Sequence, residues 1–278
     1  MGILVGVDVG GTFTDFIAYD TEDGSLRGWK WFSSSDDPGD GILKGLSQFD
    51  RLDDVAITRL GTTIATNAIL ERNGARVAYL TTEGFEDVPF IQRGNRQFNF
   101  NAQWQKPKPL VLHRDCHGVA ERVSSEGDVL KALDRKQLEK IAEEIKEAGE
   151  VDAVALSFLF SYRSPEHELE AKRILQEHLP GVPVSISFEV LPKWKEYERA
   201  STTIADAYVK PIVLDRLPTM ERRVKEMAKN SELVVVKSNG GGTNVEGACD
   251  SPVQLLLSGP AGGVIATQFI SRIMGEPN

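Results

Sequence analysis

The sequence predicts an α/β protein built from two units. Three strand-like runs follow one another near the N-terminus with no room for a helix between them, and helices and strands then alternate. A second helix–strand alternation begins after a long aperiodic stretch. A chain of 278 residues is long enough for two core-forming units, at roughly 100–200 residues each.

Residues 3–9 (ILVGVDV) are nearly all apolar, the pattern of a strand buried on both faces. Residues 13–19 and 26–32 supply two more strands, the latter pair separated by the turn DTEDGS. Connections this short allow only an antiparallel meander. In residues 40–49, Ile42, Leu43, Leu46 and Phe49 share one helical face. Residues 55–60 are strand-like, GTTIATNAILER reads as a turn entering a helix, and residues 76–81 form another strand. The order is βββαβαβ, a first domain core over residues 1–82. Residues 83–125 have no helical period and contain Pro89, Pro107 and Pro109, so they read as an irregular insertion.

A second α/β unit occupies residues 126–195. Asp134 caps a helix running through Ala148, with Leu138, Ile141, Ala142 and Ile145 on one face and Gly149 closing it. Residues 151–160 form a buried strand, Ser164 caps the next helix with Pro165 in its first position, and residues 182–188 return as a strand. The last region, 196–278, holds a long helix to residue 227 interrupted at Pro211 and Pro218. A strand over 233–237 then runs into SNGGGT, and LLLSGPAGG leads into a helix over 264–274.

The 32 basic and 41 acidic residues leave a net charge of −9, which argues against a general nucleic-acid or anionic-membrane surface. No apolar run reaches the roughly 18 residues of a membrane span, and the N-terminus lacks the basic region of a signal peptide. Cys116 and Cys249 form no CxxC pair and read as free thiols in a reducing cytoplasm.

DVGGTFTD, residues 8–15, carries the chemistry. It has neither GK[ST] nor G-x-G-x-x-G, and it joins strand to strand rather than strand to helix. Gly10 and Gly11 let backbone amides approach an anion without an intervening Cβ, and Thr12 and Thr14 add hydroxyls. Asp8 ends a run expected to be buried, where a carboxylate needs a partner such as hydrated Mg²⁺.

DxGGTxTD in this order of elements resembles the first phosphate loop of the actin/sugar kinase/heat-shock-protein ATPase superfamily, whose first domain is ribonuclease H-like. More narrowly, the chain is similar to the N-terminal part of the hydantoinase A/5-oxoprolinase family, which includes ATP-dependent ketone carboxylase subunits. Residues 61–72 (GTTIATNAILER), 196–203 (EYERASTT), 238–242 (SNGGG) and 258–263 (SGPAGG) follow in the family's order.

The resemblance implies ATP and Mg²⁺, with Asp8 at the metal or its water shell and Gly10, Gly11, Thr12, Phe13 and Thr14 at phosphate oxygens. Asp15 either orients a water or loop residue or stabilises the hairpin. Gly240 and Gly241 suit a polar ligand edge or a tight turn. Gly259 and Gly262 suit an anion at a helix start or close helix packing. Thr62, Thr63 and Asn67 would face the nucleotide cleft, where capping accounts for one or two of them. Arg93 is a carboxylate clamp or a solvated arginine. Arg199, with Glu196 and Glu198, is a substrate contact or a charged helix end. His113, Asp115, Cys116 and His117 are potential metal ligands without a matching pair elsewhere.

The superfamily clamps ATP between two similar domains. A second aspartate–glycine loop is expected after SGPAGG, and the sequence reaches GEPN instead. The expectation is a truncated piece or half of a split subunit, inefficient at ATP hydrolysis alone, awaiting the second ATPase domain and a B-type partner subunit. The implied activity is phosphorylation of a carbonyl or amide oxygen for ring opening of a cyclic amide. Alternatives are an ATP-dependent ketone carboxylase subunit and a non-catalytic reactivase module.

Overall fold

The computed structural model describes residues 2–33, 38–98 and 100–275. Asn99 of the expected irregular insertion and residues 276–278 of GEPN lie outside the described residues. In chain order the strands are β1 Ile3–Val9, β2 Phe13–Asp20, β3 Leu26–Phe32, β4 Val55–Thr62, β5 Val77–Thr82, β6 Cys116–Val119, β7 Arg122–Val123, β8 Val129–Lys131, β9 Ala153–Ser157, β10 Val184–Ile186, β11 Glu232–Val236 and β12 Gly242–Thr243. The helices are α1 Pro38–Leu46, α2 Ile64–Glu71, α3 Val88–Ile91, α4 Arg135–Ala148, α5 Glu166–His178, α6 Ser187–Val190, α7 Glu196–Met227, α8 Val245–Asp250 and α9 Ser258–Met274.

The chain forms two compact units. Unit 1 comprises Met1–Glu71 and Ile212–Asn278, and unit 2 is the insertion Arg72–Pro211. This division differs from the boundaries expected at 82, 125 and 195. The strand at 76–81 joins the sheet of unit 2, and the strand that completes the first sheet is β11, far along the chain. An apolar run encodes burial but not its neighbour.

Unit 1 holds a six-stranded sheet in the order β12-β11-β4-β1-β2-β3. The meander β1–β2–β3 is antiparallel, as expected, while β1, β4 and β11 run parallel. β1 is not buried on both faces: Ile3, Val5, Val7 and Val9 are buried while Leu4 and Asp8 are exposed. α1 packs against the meander on the buried side, where the indole of Trp29 donates to Gly45 O (2.8 Å) and stacks between Phe16 and Phe49.

Unit 2 has the doubly covered sheet. Its strands, β10-β9-β5-β6, are all parallel, and β5, β9 and β10 are buried at every position. α4 and α5 bury Leu138, Ile141, Ala171 and Leu175 in a core with Leu80, Val154, Leu156 and Ile186 from the strands. Near-continuous apolar strands are what a parallel sheet with two covered faces requires. Asp134 caps α4 by accepting from Gln137 N, and Gly149 closes it at φ 64°.

Two expected punctuation marks are absent. Ser164 does not cap α5, because its hydroxyl donates to the Glu166 side chain (2.6 Å) and Pro165 occupies the cap. α7 runs for 32 residues through Pro211 and Pro218 without a break. Its buried Val209, Val213, Leu217, Met220 and Val224 supply packing that outweighs the lost proline hydrogen bonds.

Candidate functional site

The candidate site lies at the carboxyl edge of the parallel strands of unit 1, the side on which open α/β sheets bind ligands. Four sequence blocks converge there. The turn 10–12 follows β1, Thr63 follows β4, SNGGG follows β11, and SGPAGG opens α9. Ser258 Oγ donates to Thr62 O at 3.3 Å, and Leu257 N donates to Thr66 Oγ1 at 3.0 Å, tying the start of α9 to the end of β4 and to α2. The Thr63 hydroxyl donates to Val9 O at 3.4 Å and so ties this edge to β1.

The hairpin is the open part of the edge. Gly10 N donates to Phe13 O (3.1 Å), closing the turn. Among the described residues the amides of Gly11 and Thr12 have no hydrogen-bond partner. Gly11 has no positive φ, and a Cβ there would meet no atom within 4 Å. Neither conformation nor packing demands glycine at this position. Its effect is to leave the backbone open to approach.

Thr14 plays a different part from the one expected. Its side chain is fully buried, and its hydroxyl lies 3.0 Å from Ser33 Oγ, which donates its single proton to Gly10 O at 2.7 Å. The Thr14 proton must therefore go to Ser33, and none is left for a phosphate oxygen. Ser33 N also donates to Thr12 O at 3.0 Å. Ser33, absent from the sequence-based candidates, clamps both sides of the turn. Phe13 packs on Phe32, with ring centres 5.0 Å apart.

Asp8 and Asp15 face each other in register across β1 and β2. The buried aspartate expected from the apolar run is instead exposed, because β1 presents Leu4, Gly6 and Asp8 to the open face of its sheet. Partial desolvation, and then the charge of Asp15, raise the Asp8 carboxyl above the ordinary value of 3.8. Gly61, its register partner on β4, makes room for it: a Cβ there would sit 3.1 Å from Asp8 Oδ1. Asp15 pairs with Lys30 at 3.2 Å.

The other candidates divide. Thr62 Oγ1 accepts from Ile64 N (3.3 Å) at the start of α2, and Asn67 donates to Thr63 Oγ1 at 3.2 Å, so both threonines serve local structure at this edge. Gly240 has φ 80°, its amide donates to Lys237 O, and the Gly241 amide donates to Asn239 Oδ1. Those amides are spent inside a tight turn. Gly259 and Gly262 lie within the first turns of α9, which begins at Ser258 and not at 264.

Arg93 and Arg199 belong to unit 2. Arg93 is exposed and pairs with Glu198 at 2.7 Å. Arg199 is 1% exposed and donates to Phe158 O, Ser161 Oγ and Ser187 Oγ, with Glu168 Oε1 at 3.9 Å. It is a buried cation held by the backbone and hydroxyls of unit 2. In HRDCH, His113 pairs with Asp87 and Asp115 is gripped bidentately by Arg76. Burial pushes the Cys116 thiol up to about 12, with neighbouring carboxylates adding to the shift.

These features define an α/β fold with a glycine hairpin at the carboxyl edge of its parallel strands. Residues 4–179 match the hydantoinase/oxoprolinase N-terminal region and residues 199–278 match hydantoinase/oxoprolinase, so the chain belongs to the hydantoinase/oxoprolinase family. Caprolactamase subunit alpha of Pseudomonas jessenii is 30% identical over 99% of this chain and 41% of its own. The acetophenone carboxylase gamma subunit of Aromatoleum aromaticum is 29% identical over 99% of this chain and 40% of its own. Among solved structures, nucleotide-free acetone carboxylase superposes with a TM-score of 0.88 at 24% identity, over 99% of this chain and 41% of that one. The ATP-dependent caprolactamase of P. jessenii superposes at 0.85 and 30% identity, over 98% and 41%. The fold is thus the actin-like ATPase fold. The chain spans about two fifths of the length of these relatives.

Proposed function

We propose that Asp8 and the Gly10–Gly11–Thr12 turn form the phosphate end of a nucleotide site in an ATP-dependent cyclic amide hydrolase. The observation that carries this reading is the pair of unspent amides at Gly11 and Thr12, beside a carboxylate, at the carboxyl edge of β1. Two adjacent free N–H groups suit phosphate oxygens, and a carboxylate beside them, Asp8, suits Mg²⁺ or one of its waters. The open flank of Gly11 fits the approach of a triphosphate. When bound, ATP supplies a phosphoryl group that turns a poor carbonyl or amide electrophile into a good one. The chain's own residues contribute positioning: Ser33 holds the turn, Gly61 seats Asp8, and Lys30 restrains Asp15.

The caprolactamase relative favours ring opening of a cyclic amide such as a lactam, hydantoin or 5-oxoproline. The acetophenone carboxylase relative supports a second reading, the same activation step applied to a ketone with bicarbonate as co-substrate. Both readings call for the further length present in the relatives and for a B-type partner subunit. The two unbridged cysteines suit a cytoplasmic setting. ATP turnover by the complete assembly, with cyclic amides or with ketones plus bicarbonate, separates the two. Turnover with neither, alongside intact nucleotide binding, points to a non-catalytic ATPase module.

A further inference from the structure

Unit 2 has its own carboxyl edge, where β5, β6, β9 and β10 all end. Most charged groups there are spent on each other. Glu121 accepts from the Thr82 hydroxyl and lies 2.8 Å from His167 Nδ1. Glu168 accepts from the amides of Phe158 and Phe188, both at 2.8 Å, and from Ser187 Oγ at 2.6 Å. Lys131 pairs with Glu83 at 3.4 Å. A half-buried cation is left over among the described residues, whereas Arg163, also without a side-chain partner there, is exposed. Arg122, next to Glu121 at the start of β7, is half-buried, and its side chain makes no hydrogen bond or ion pair among the described residues. Its guanidinium carbon sits 5.3 Å from the ring centre of Phe85 and 6.0 Å from that of Phe160. Phe160 holds φ 58°, in the left-handed region that bulky residues adopt only at a cost.

We propose that Arg122, framed by Phe85 and Phe160, anchors a second ligand site that binds the carboxylate of a small organic acid. Ring contacts restrain the guanidinium and leave edges of its donor fork for a ligand. A partly desolvated cation without a counter-charge is unfavourable, and a carboxylate matches the fork with two parallel hydrogen bonds. Glu121 makes no ion pair with Arg122 among the described residues, its oxygens meeting the Thr82 hydroxyl and His167 Nδ1 instead. The position, outside the carboxyl ends of a parallel sheet, is where α/β folds take ligands. The left-handed backbone at Phe160, in a turn closed by Arg163 N donating to Phe160 O at 2.8 Å, keeps one of the framing rings in place.

This site stands apart from the nucleotide reading and is tested without ATP. Calorimetric titration of the chain with benzoate, with uncharged benzamide and with inorganic phosphate is the direct measurement. The expected result is benzoate binding at least about tenfold tighter than benzamide or phosphate, lost in Arg122→Met and weakened in Arg122→Lys. Should the methionine variant melt early, the lysine variant, with its charge kept and its fork removed, carries the comparison. Equal binding of benzamide, preference for phosphate, no benzoate binding, or wild-type affinity in a folded Arg122 variant overturns the proposal. Asp8→Ala leaves benzoate binding unchanged, so failure of either site is read separately.

Discussion

Asp8 is held in a place that favours its protonated form, and that has a measurable consequence. Its carboxyl is raised above 3.8 in the folded chain, so folding becomes less favourable as pH rises from the ordinary value through the folded one. Asp8→Asn should therefore raise the melting temperature at neutral pH, with the gain shrinking towards acid, while abolishing Mg²⁺-dependent nucleotide binding. Thermal melts across pH check the first half; a gain independent of pH contradicts it. Ser33→Ala should cost about 1 kcal/mol and weaken nucleotide binding, because it frees both Gly10 O and the Thr14 hydroxyl. Denaturant titration alongside binding measures both. Arg199→Met should cost about 3–5 kcal/mol by leaving Glu168 buried without its cationic partner, with loss of unit 2 structure and not a selective loss of substrate affinity. Cys116, with its thiol near 12, should resist iodoacetamide at neutral pH, as mass spectrometry of the treated chain reports.

The elements whose signals are local were readable in the sequence. The three-stranded meander, the capped helix α4 and the apolar cores of β5 and β9 follow from periodicity and from Asp134 and Gly149. Asp134→Ala should cost about 1 kcal/mol in urea unfolding. What local pattern could not supply was partnership. Val77–Thr82 and Val55–Thr62 are similar apolar runs, yet they enter different sheets. ILVGVDV looked doubly buried because its open-face residues include Leu4 and Gly6, which are not polar. The prolines of α7 signalled breaks that tertiary burial overrides. At the candidate site, the open turn of DVGGTFTD was legible from its two glycines. The assignment of its hydroxyls was not, since Thr14 is committed by Ser33, a residue 19 positions away with no motif of its own.

At the scale of the whole molecule, an α/β insertion with its own parallel sheet interrupts an actin-like ATPase core between α2 and the second half of α7. Both units present the carboxyl ends of parallel strands, one with a glycine hairpin and one with an aromatic-framed arginine. The chain covers about two fifths of relatives that act with ATP on lactams or ketones, so binding is the property to test in it, ahead of turnover. The most direct measurement is Mg²⁺-dependent binding of a non-hydrolysable ATP analogue to the 278-residue chain and to Asp8→Ala. Binding in the parent that falls at least about tenfold in a normally folded Asp8→Ala chain is the predicted result. Equal binding by both chains, or none by the parent, would contradict the assignment of the hairpin as a phosphate cradle.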